Sequence, residues 1–235
     1  MFTIEIAGLA VALDNRYQYV ERLCSGYLTD REPQFTVAAS DEDIEKERAV
    51  SEADYPDGYL ESIVLYRKIA DRLPEYDAFV FHGAILTYED AAYAFTARSG
   101  VGKTTHTRLW ISEFKEKVHY LNGDKPIIRF FDGVPFACGT PYKGKEGYGV
   151  NERRELKAIA FLDRAEKNSA EKADKESSGV KLLSQIYLPR SPRAAVKTMS
   201  LADRLLTSVR LVNLHVNMEK DAATVAKDAM CGKEK

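Results

Sequence analysis

The sequence predicts an α/β fold, α+β in its first part: a mixed β-sheet with flanking helices, preceded by a small N-terminal α+β subdomain. Three observations point there. From Ala78 onward, short β-prone apolar runs alternate with segments of helical period. Two pairs of those runs are joined by hairpin signals. A glycine-rich loop, Ala97–Thr104, connects one strand directly to one helix.

The elements follow in order. Thr3–Val11 and Phe35–Ala39 read as strands, and the charged stretch Asp41–Ser51 as an exposed helix. Asp57-Gly58 is a turn signal, after which Tyr59, Ile63, Tyr66 and Ile69-Ala70 recur at helical spacing until Pro74. These elements form the subdomain of residues 1–75, which shows no catalytic constellation; residues 76–235 form the second, larger domain. There, Ala78–Thr87 and Ala91–Thr96 make a hairpin around Tyr88-Glu89-Asp90. Thr104–Phe114 reads as a helix, and Val118–Leu121 as a strand ending at Asn122-Gly123-Asp124. Pro126–Phe131 and Val134–Ala137 flank the hairpin turn Asp132-Gly133. Gly139–Gly149 reads as a mobile loop, Lys157–Leu162 as a buried strand and Glu166–Gly179 as a polar surface excursion. Helices are expected over Val180–Tyr187, behind Pro192 and over Glu219–Met230, with a last strand at Leu211–Val216. In the helix behind Pro192, the stripe Val196, Met199, Ala202, Leu205-Leu206 and Val209 reads as core.

Composition narrows the function. Of the 235 residues, 34 are basic and 36 acidic, a balance that argues against a general nucleic-acid binder. Three scattered cysteines make neither a disulfide framework nor a zinc site, and a reducing cytoplasm fits them. No secretory signal and no membrane-spanning run is visible.

The loop A-R-S-G-V-G-K-T carries the chemistry. It matches the phosphate-binding pattern G-x-x-x-x-G-K-[ST], except that Ala97 holds the first glycine position. Gly100 and Gly102 permit backbone angles that turn N–H groups inward around an anion. The helix behind them adds its positive end. The backbone around Gly100 and Gly102 is expected to contact a triphosphate, with Lys103 between the β- and γ-phosphates. The Thr104 hydroxyl and Asp124, at the end of another strand, are the expected Mg²⁺ ligands. Asp124 is also compatible with simple turn chemistry in Asn-Gly-Asp. His82 lies inside the first hairpin strand and by itself reads as a core or edge histidine before a catalytic group. His106 sits where a nucleotide or solvent would meet it, whereas His119 and His215 read as structural. Lys143, Lys145, Arg153 and Arg154 cluster among loop glycines and read equally as a solvated loop or as one that closes over phosphates or an acidic partner, with Lys143, Lys145 and Arg153 the candidate substrate contacts; Glu146 is a candidate base that its spacing does not require.

A hairpin feeding such a loop resembles the catalytic domain of HPr kinase/phosphorylase and its relative, ATP-dependent phosphoenolpyruvate carboxykinase. The resemblance runs from His82-Gly83-Ala84-Ile85-Leu86, through Ser99–Thr104, to Leu121-Asn122-Gly123-Asp124, and loosely to Gly147–Asn151. It spans about Ala78–Leu162. Thr105–Trp110, the Asn122–Pro126 stretch and Gly139–Glu146 look like small bacterial HPr-kinase-like proteins, some of which phosphorylate a serine. The resemblance implies a mixed-sheet nucleotide-binding domain of that type, ATP and Mg²⁺ as cofactors, triphosphate contacts from Ser99, Gly100, Val101, Gly102, Lys103, Thr104 and Thr105, and catalytic roles for Lys103, Asp124 and His82. One position departs: where the family has the aspartate that acts as base, this chain has Gly123.

The expected activity is therefore Mg²⁺·ATP-dependent phosphorylation of a hydroxyl, serine foremost, on a protein, peptide or small metabolite. The rivals are a nucleotide-binding regulator without phosphotransfer, motivated by Gly123, and carboxykinase-like chemistry on a small carboxylate. A cytoplasmic protein that binds no nucleic acid or membrane is expected; homo-oligomerisation stays open.

Overall fold

The computed structural model describes residues 1–98 and 100–232. The chain forms a three-stranded sheet, a nine-stranded mixed sheet and helices packed around both. The small sheet has β1 (Phe2–Ile6) antiparallel to β2 (Leu9–Asp14), and β2 parallel to β3 (Phe35–Ala38). The run read as one strand, Thr3–Val11, is thus a hairpin. Ala7 and Gly8 turn it with φ of 50° and 74°. Five consecutive buried residues in β2 hide the turn, because a strand covered on both faces shows no alternation.

Helix α1 (Gln18–Leu23), which the sequence reading lacked, precedes β3; α2 (Asp41–Ala49) and α3 (Asp57–Arg72) follow it. Ser40 and Asp43 close a reciprocal capping box on α2. Asp57-Gly58, read as a turn, is instead the first turn of α3. Gly58 serves close packing, since a Cβ there would lie 2.8 Å from Tyr19 Cβ. Before Pro74 the helix tightens into a 3₁₀ turn, Leu73–Tyr76.

The large sheet contains β4 (Ala78–Val80), β5 (Ala84–Tyr88), β6 (Ala91–Thr96), β7 (Val118–Asn122), β8 (Ile127–Phe131), β9 (Val134–Cys138), β10 (Arg153–Arg164), β11 (Ser169–Lys172) and β12 (Arg210–Val216). The path runs β4-β8-β9-β10-β6-β5-β7, with β12 between β10 and β11. Strands β6, β10 and β12 are parallel neighbours and the other pairings are antiparallel. Both predicted hairpins form, the second turning at Asp132-Gly133 with φ of 48° and 91°. The predicted strand Ala78–Thr87, however, breaks at His82-Gly83: β4 pairs with β8, while β5 pairs with β6 and β7. Gly83 is required at the break, where a Cβ would come within 2.9 Å of the Phe95 carbonyl oxygen.

Helices cover both faces of this sheet. In β10, Leu156, Ile159 and Phe161 face a core shared with α5 (Lys175–Leu183) and α6 (Pro192–Ser208). Ala158, Ala160 and Leu162 face one shared with α4 (Lys103–Phe114) and α7 (Asp221–Cys231). This two-sided burial is why Lys157–Leu162 reads as an uninterrupted apolar run. The excursion expected at Glu166–Gly179 instead holds β11 and the first turn of α5; β11 is a polar edge strand. Asp174 caps α5 by accepting the Ser177 N–H at 2.8 Å, so the helix starts at Lys175 rather than Val180; it ends at Leu183 rather than Tyr187. On α6, Ala202 and Leu205 are buried, but Val196 and Met199 of the predicted stripe are exposed.

A third core continues across residue 75. It joins Ile4, Val11, Leu60, Leu65 and Ile69 to Ala78, Val80, Ile127 and Cys138. Tyr66 of α3 stacks on Tyr142 at 3.8 Å and donates a hydrogen bond to the Lys125 carbonyl at 2.7 Å. The Tyr142 hydroxyl donates to the Ser62 carbonyl at 2.9 Å. The N-terminal helix thereby braces the segment that follows Asp124.

Candidate active site

The β6–α4 connection has the geometry its glycines suggested. Gly100 and Gly102 adopt φ of 80° and 116°, and no atom lies within 4 Å of a Cβ added to either. Conformation, not crowding, demands glycine at both positions. Gly102 is the N-cap of α4 and supplies no side-chain cap, leaving the first-turn N–H groups of the helix for a ligand. Val101 packs against the core below, Thr104 and Thr105 are exposed, and Ser99 lies outside the described residues.

Lys103, Thr104, Gly123 and Asp124 line one cavity of about 190 Å³, together with Thr107, Tyr120 and residues 143–146 and Tyr148. The end of β7 thus meets the start of α4, as the motif required. Asn122 sets this junction. Fully buried, it donates to the Thr140 carbonyl and hydroxyl, and its own side-chain oxygen accepts the N–H groups of Asp124 and Lys125 at 2.9 Å each. The Asn-Gly pair that signals a turn therefore also aims the carboxylate.

Asp124 stands between His82 and Lys125. Its Oδ1 lies 3.3 Å from His82 Nε2, and its Oδ2 accepts from Lys125 Nζ at 3.0 Å. Burial alone would raise its pKa, but the His82 hydrogen bond and the Lys125 charge outweigh it and hold the carboxyl well below the usual range. Burial lowers the Lys103 pKa, and the charge of Asp124 acts in the opposite sense. His82 is half exposed, at the strand break rather than inside a strand, and its backbone is held by hydrogen bonds to Gln185 and Thr96. It touches Asp124 but is not among the residues lining the cavity.

Lys143 and Lys145 line the cavity; Arg153 does not. Its strand register places it opposite Cys138, with its guanidinium over the Phe131 ring at 4.7 Å. A basic cluster in sequence is here split by the direction of a strand. Residues 143–149 form a strap over the site rather than a free loop. Tyr148 stacks on Tyr120 at 4.6 Å, Glu146 pairs with Arg108 of α4 at 2.6 Å, and the Gly123 N–H donates to the Tyr148 carbonyl at 2.9 Å. Gly144 rests against Asp124, where a Cβ would be 2.8 Å from Asp124 Cβ.

His106 is neither a nucleotide contact nor a surface residue. It is 2% exposed and accepts from Trp110 Nε1 at 3.2 Å, while its Nδ1 has no partner among the described residues. Burial pushes its pKa down to about 4 from 6.5. Its folded pKa lies below its unfolded one, so its contribution to stability is present above pH 6.5 and is lost as pH falls toward 4. The ligand-free protein is expected to lose about 3 kcal/mol across that window from this group. A His106→Gln variant should flatten that part of the stability-versus-pH curve from urea unfolding; an unchanged slope would refute the assignment. His119 bonds Thr87 and faces Glu152, and His215 lies 3.8 Å from Glu171.

Among the described residues, no three His, Cys, Asp or Glu side chains group to hold a metal unaided. Thr104 and Asp124 offer one hydroxyl and one carboxylate. That donor set suits Mg²⁺, which keeps several waters and takes its other oxygens from phosphates.

No protein-family model and no curated protein matches the chain. Among solved structures, the Hpr(Ser) kinase/phosphatase from Coxiella burnetii is similar over 63% of this chain and 94% of that one, at 9% identity and a TM-score of 0.37. No helix among the described residues is long and apolar enough to cross a membrane.

Proposed function

We propose that the protein is a Mg²⁺·ATP-dependent phosphotransferase acting on a hydroxyl, a serine of a protein or peptide or a small metabolite's alcohol. One observation carries the reading: Lys103, Thr104 and Asp124 line a single cavity at the end of an open helix N-terminus. The Gly102–Thr105 backbone would bind the β- and γ-phosphates, and Lys103 would offset the charge that spreads over the γ-phosphoryl oxygens. Thr104 and Asp124 would hold Mg²⁺, which would supply positive charge against the phosphates. Lys143 and Lys145 would attract an anionic acceptor or hold the phosphates from the strap side. His82 orients Asp124 by its hydrogen bond. The test is γ-labelled ATP incubated with cell extract: transfer of label that disappears on removal of Mg²⁺ supports the reading, and none with ATP binding intact opposes it.

Gly123 favours a second reading, a nucleotide-binding regulator that has lost the base. A Cβ at position 123 would lie 3.2 Å and 3.3 Å from the Lys143 and Tyr148 carbonyl oxygens, so an aspartate there must displace the strap. For a working kinase, Gly123→Asp is expected to leave turnover unraised and to destabilise by about 1–2 kcal/mol through overpacking. Turnover appearing only in that variant would favour the regulator. Carboxykinase-like chemistry loses support because Arg153 faces away from the cavity.

A further inference from the structure

Strand β10 outruns its neighbour. Its last pairing with β6 is Phe161 to Thr96, and it continues through Leu162, Asp163 and Arg164 alongside β12. The overhang brings Arg164 level with the glycine-rich loop. There its Nε donates to the Val101 carbonyl at 3.0 Å and its Nη2 donates to the Gly100 carbonyl. Among the described residues, Arg164 makes no ion pair.

We propose that Arg164 is a positioning residue for triphosphate binding, acting through the loop's backbone rather than on the ligand. The inference rests on the triphosphate-binding reading above. In a planar trans peptide the carbonyl and the following N–H point in opposite directions. Drawing the Gly100 and Val101 carbonyls toward the strand end turns the N–H groups of Val101 and Gly102 the other way. Among the described residues, the Val101 N–H makes one long hydrogen bond, 3.3 Å, to the Arg98 carbonyl. Val101 packs on the core, but nothing lies within 4 Å of a Cβ added to Gly100 or Gly102, so side-chain packing does not hold the two glycines themselves. Two glycines with open φ space would otherwise lose much backbone entropy when a ligand orders them. A planar guanidinium that grips two successive carbonyls settles that ordering before the ligand arrives.

The experiment compares wild type, Arg164→Ala, Arg164→Lys and Lys103→Ala by calorimetric binding of Mg²⁺·ATP and of inorganic tripolyphosphate, with amide hydrogen exchange on the ligand-free proteins. Arg164→Ala is expected to weaken both ligands alike by about tenfold, to speed exchange across 100–105 and to leave the unfolding midpoint unchanged. Arg164→Lys, which keeps the charge but reaches one carbonyl at a time, should fall between. Unchanged affinity in Arg164→Ala, full recovery in Arg164→Lys, or a loss for ATP without a loss for tripolyphosphate would overturn the proposal. If the wild type binds neither ligand and Lys103→Ala makes no difference, the triphosphate reading itself fails, and this one with it.

Discussion

Lys103→Ala is expected to weaken Mg²⁺·ATP binding by about a hundredfold, some 2–3 kcal/mol, because truncating one partner of a desolvated charge contact costs about that much. Its ammonium lines the cavity beside Asp124, and burial lowers its pKa. The stability effect has the opposite sign. With the folded pKa below the unfolded one, the charged lysine opposes folding at every pH below both values. Removing it should therefore leave the unfolding midpoint of the ligand-free protein unchanged or raised. Isothermal titration and a thermal melt on one preparation separate the two effects. If affinity and turnover both survive the substitution, the loop does not bind phosphate.

Asp124→Asn is expected to reduce Mg²⁺-dependent turnover by about a thousandfold or more, while ATP binding measured without Mg²⁺ persists. An amide keeps the shape and one acceptor oxygen but loses the charge that a hard cation requires. The variant also loses the ionic part of the contact to Lys125 and replaces the carboxylate that faces His82 by an amide. Because the carboxyl's folded pKa is depressed, its stabilisation exists above the unfolded value near 3.8 and fades as pH falls below it. Wild type and variant should thus differ in stability at pH 7 and converge in strong acid. A Mg²⁺ titration of turnover decides the catalytic claim: the same Mg²⁺ dependence in Asp124→Asn as in wild type would remove Asp124 from the metal site.

Legibility in the sequence differed with the kind of signal. Both large-sheet hairpins and the strand–loop–helix unit were readable because each is marked by local chemistry: the polar Glu89-Asp90 between two apolar runs, Asp132-Gly133, and a glycine-rich loop between a β-prone run and a helical one. The Ala7-Gly8 turn was not, because the uniformly buried β2 that follows it shows no alternation to mark where a new strand starts. Asp57-Gly58 misled for the converse reason: its glycine answers to the Tyr17 and Tyr19 side chains, far away in sequence.

The site divides in the same way. By itself the sequence determined the glycine-rich strand–loop–helix unit with its lysine and threonine, and an aspartate at a strand end, since a short segment's backbone freedom and side-chain chemistry are local properties. Only the tertiary structure decided that His82 sits at a strand break beside Asp124, and that Asn122 aims that carboxylate. The same is true of Arg153, which faces away while Arg164, sixty-odd residues from the loop, grips it. These placements depend on strand register and direction, which are set by how three cores bury their apolar faces and not by any neighbouring residue.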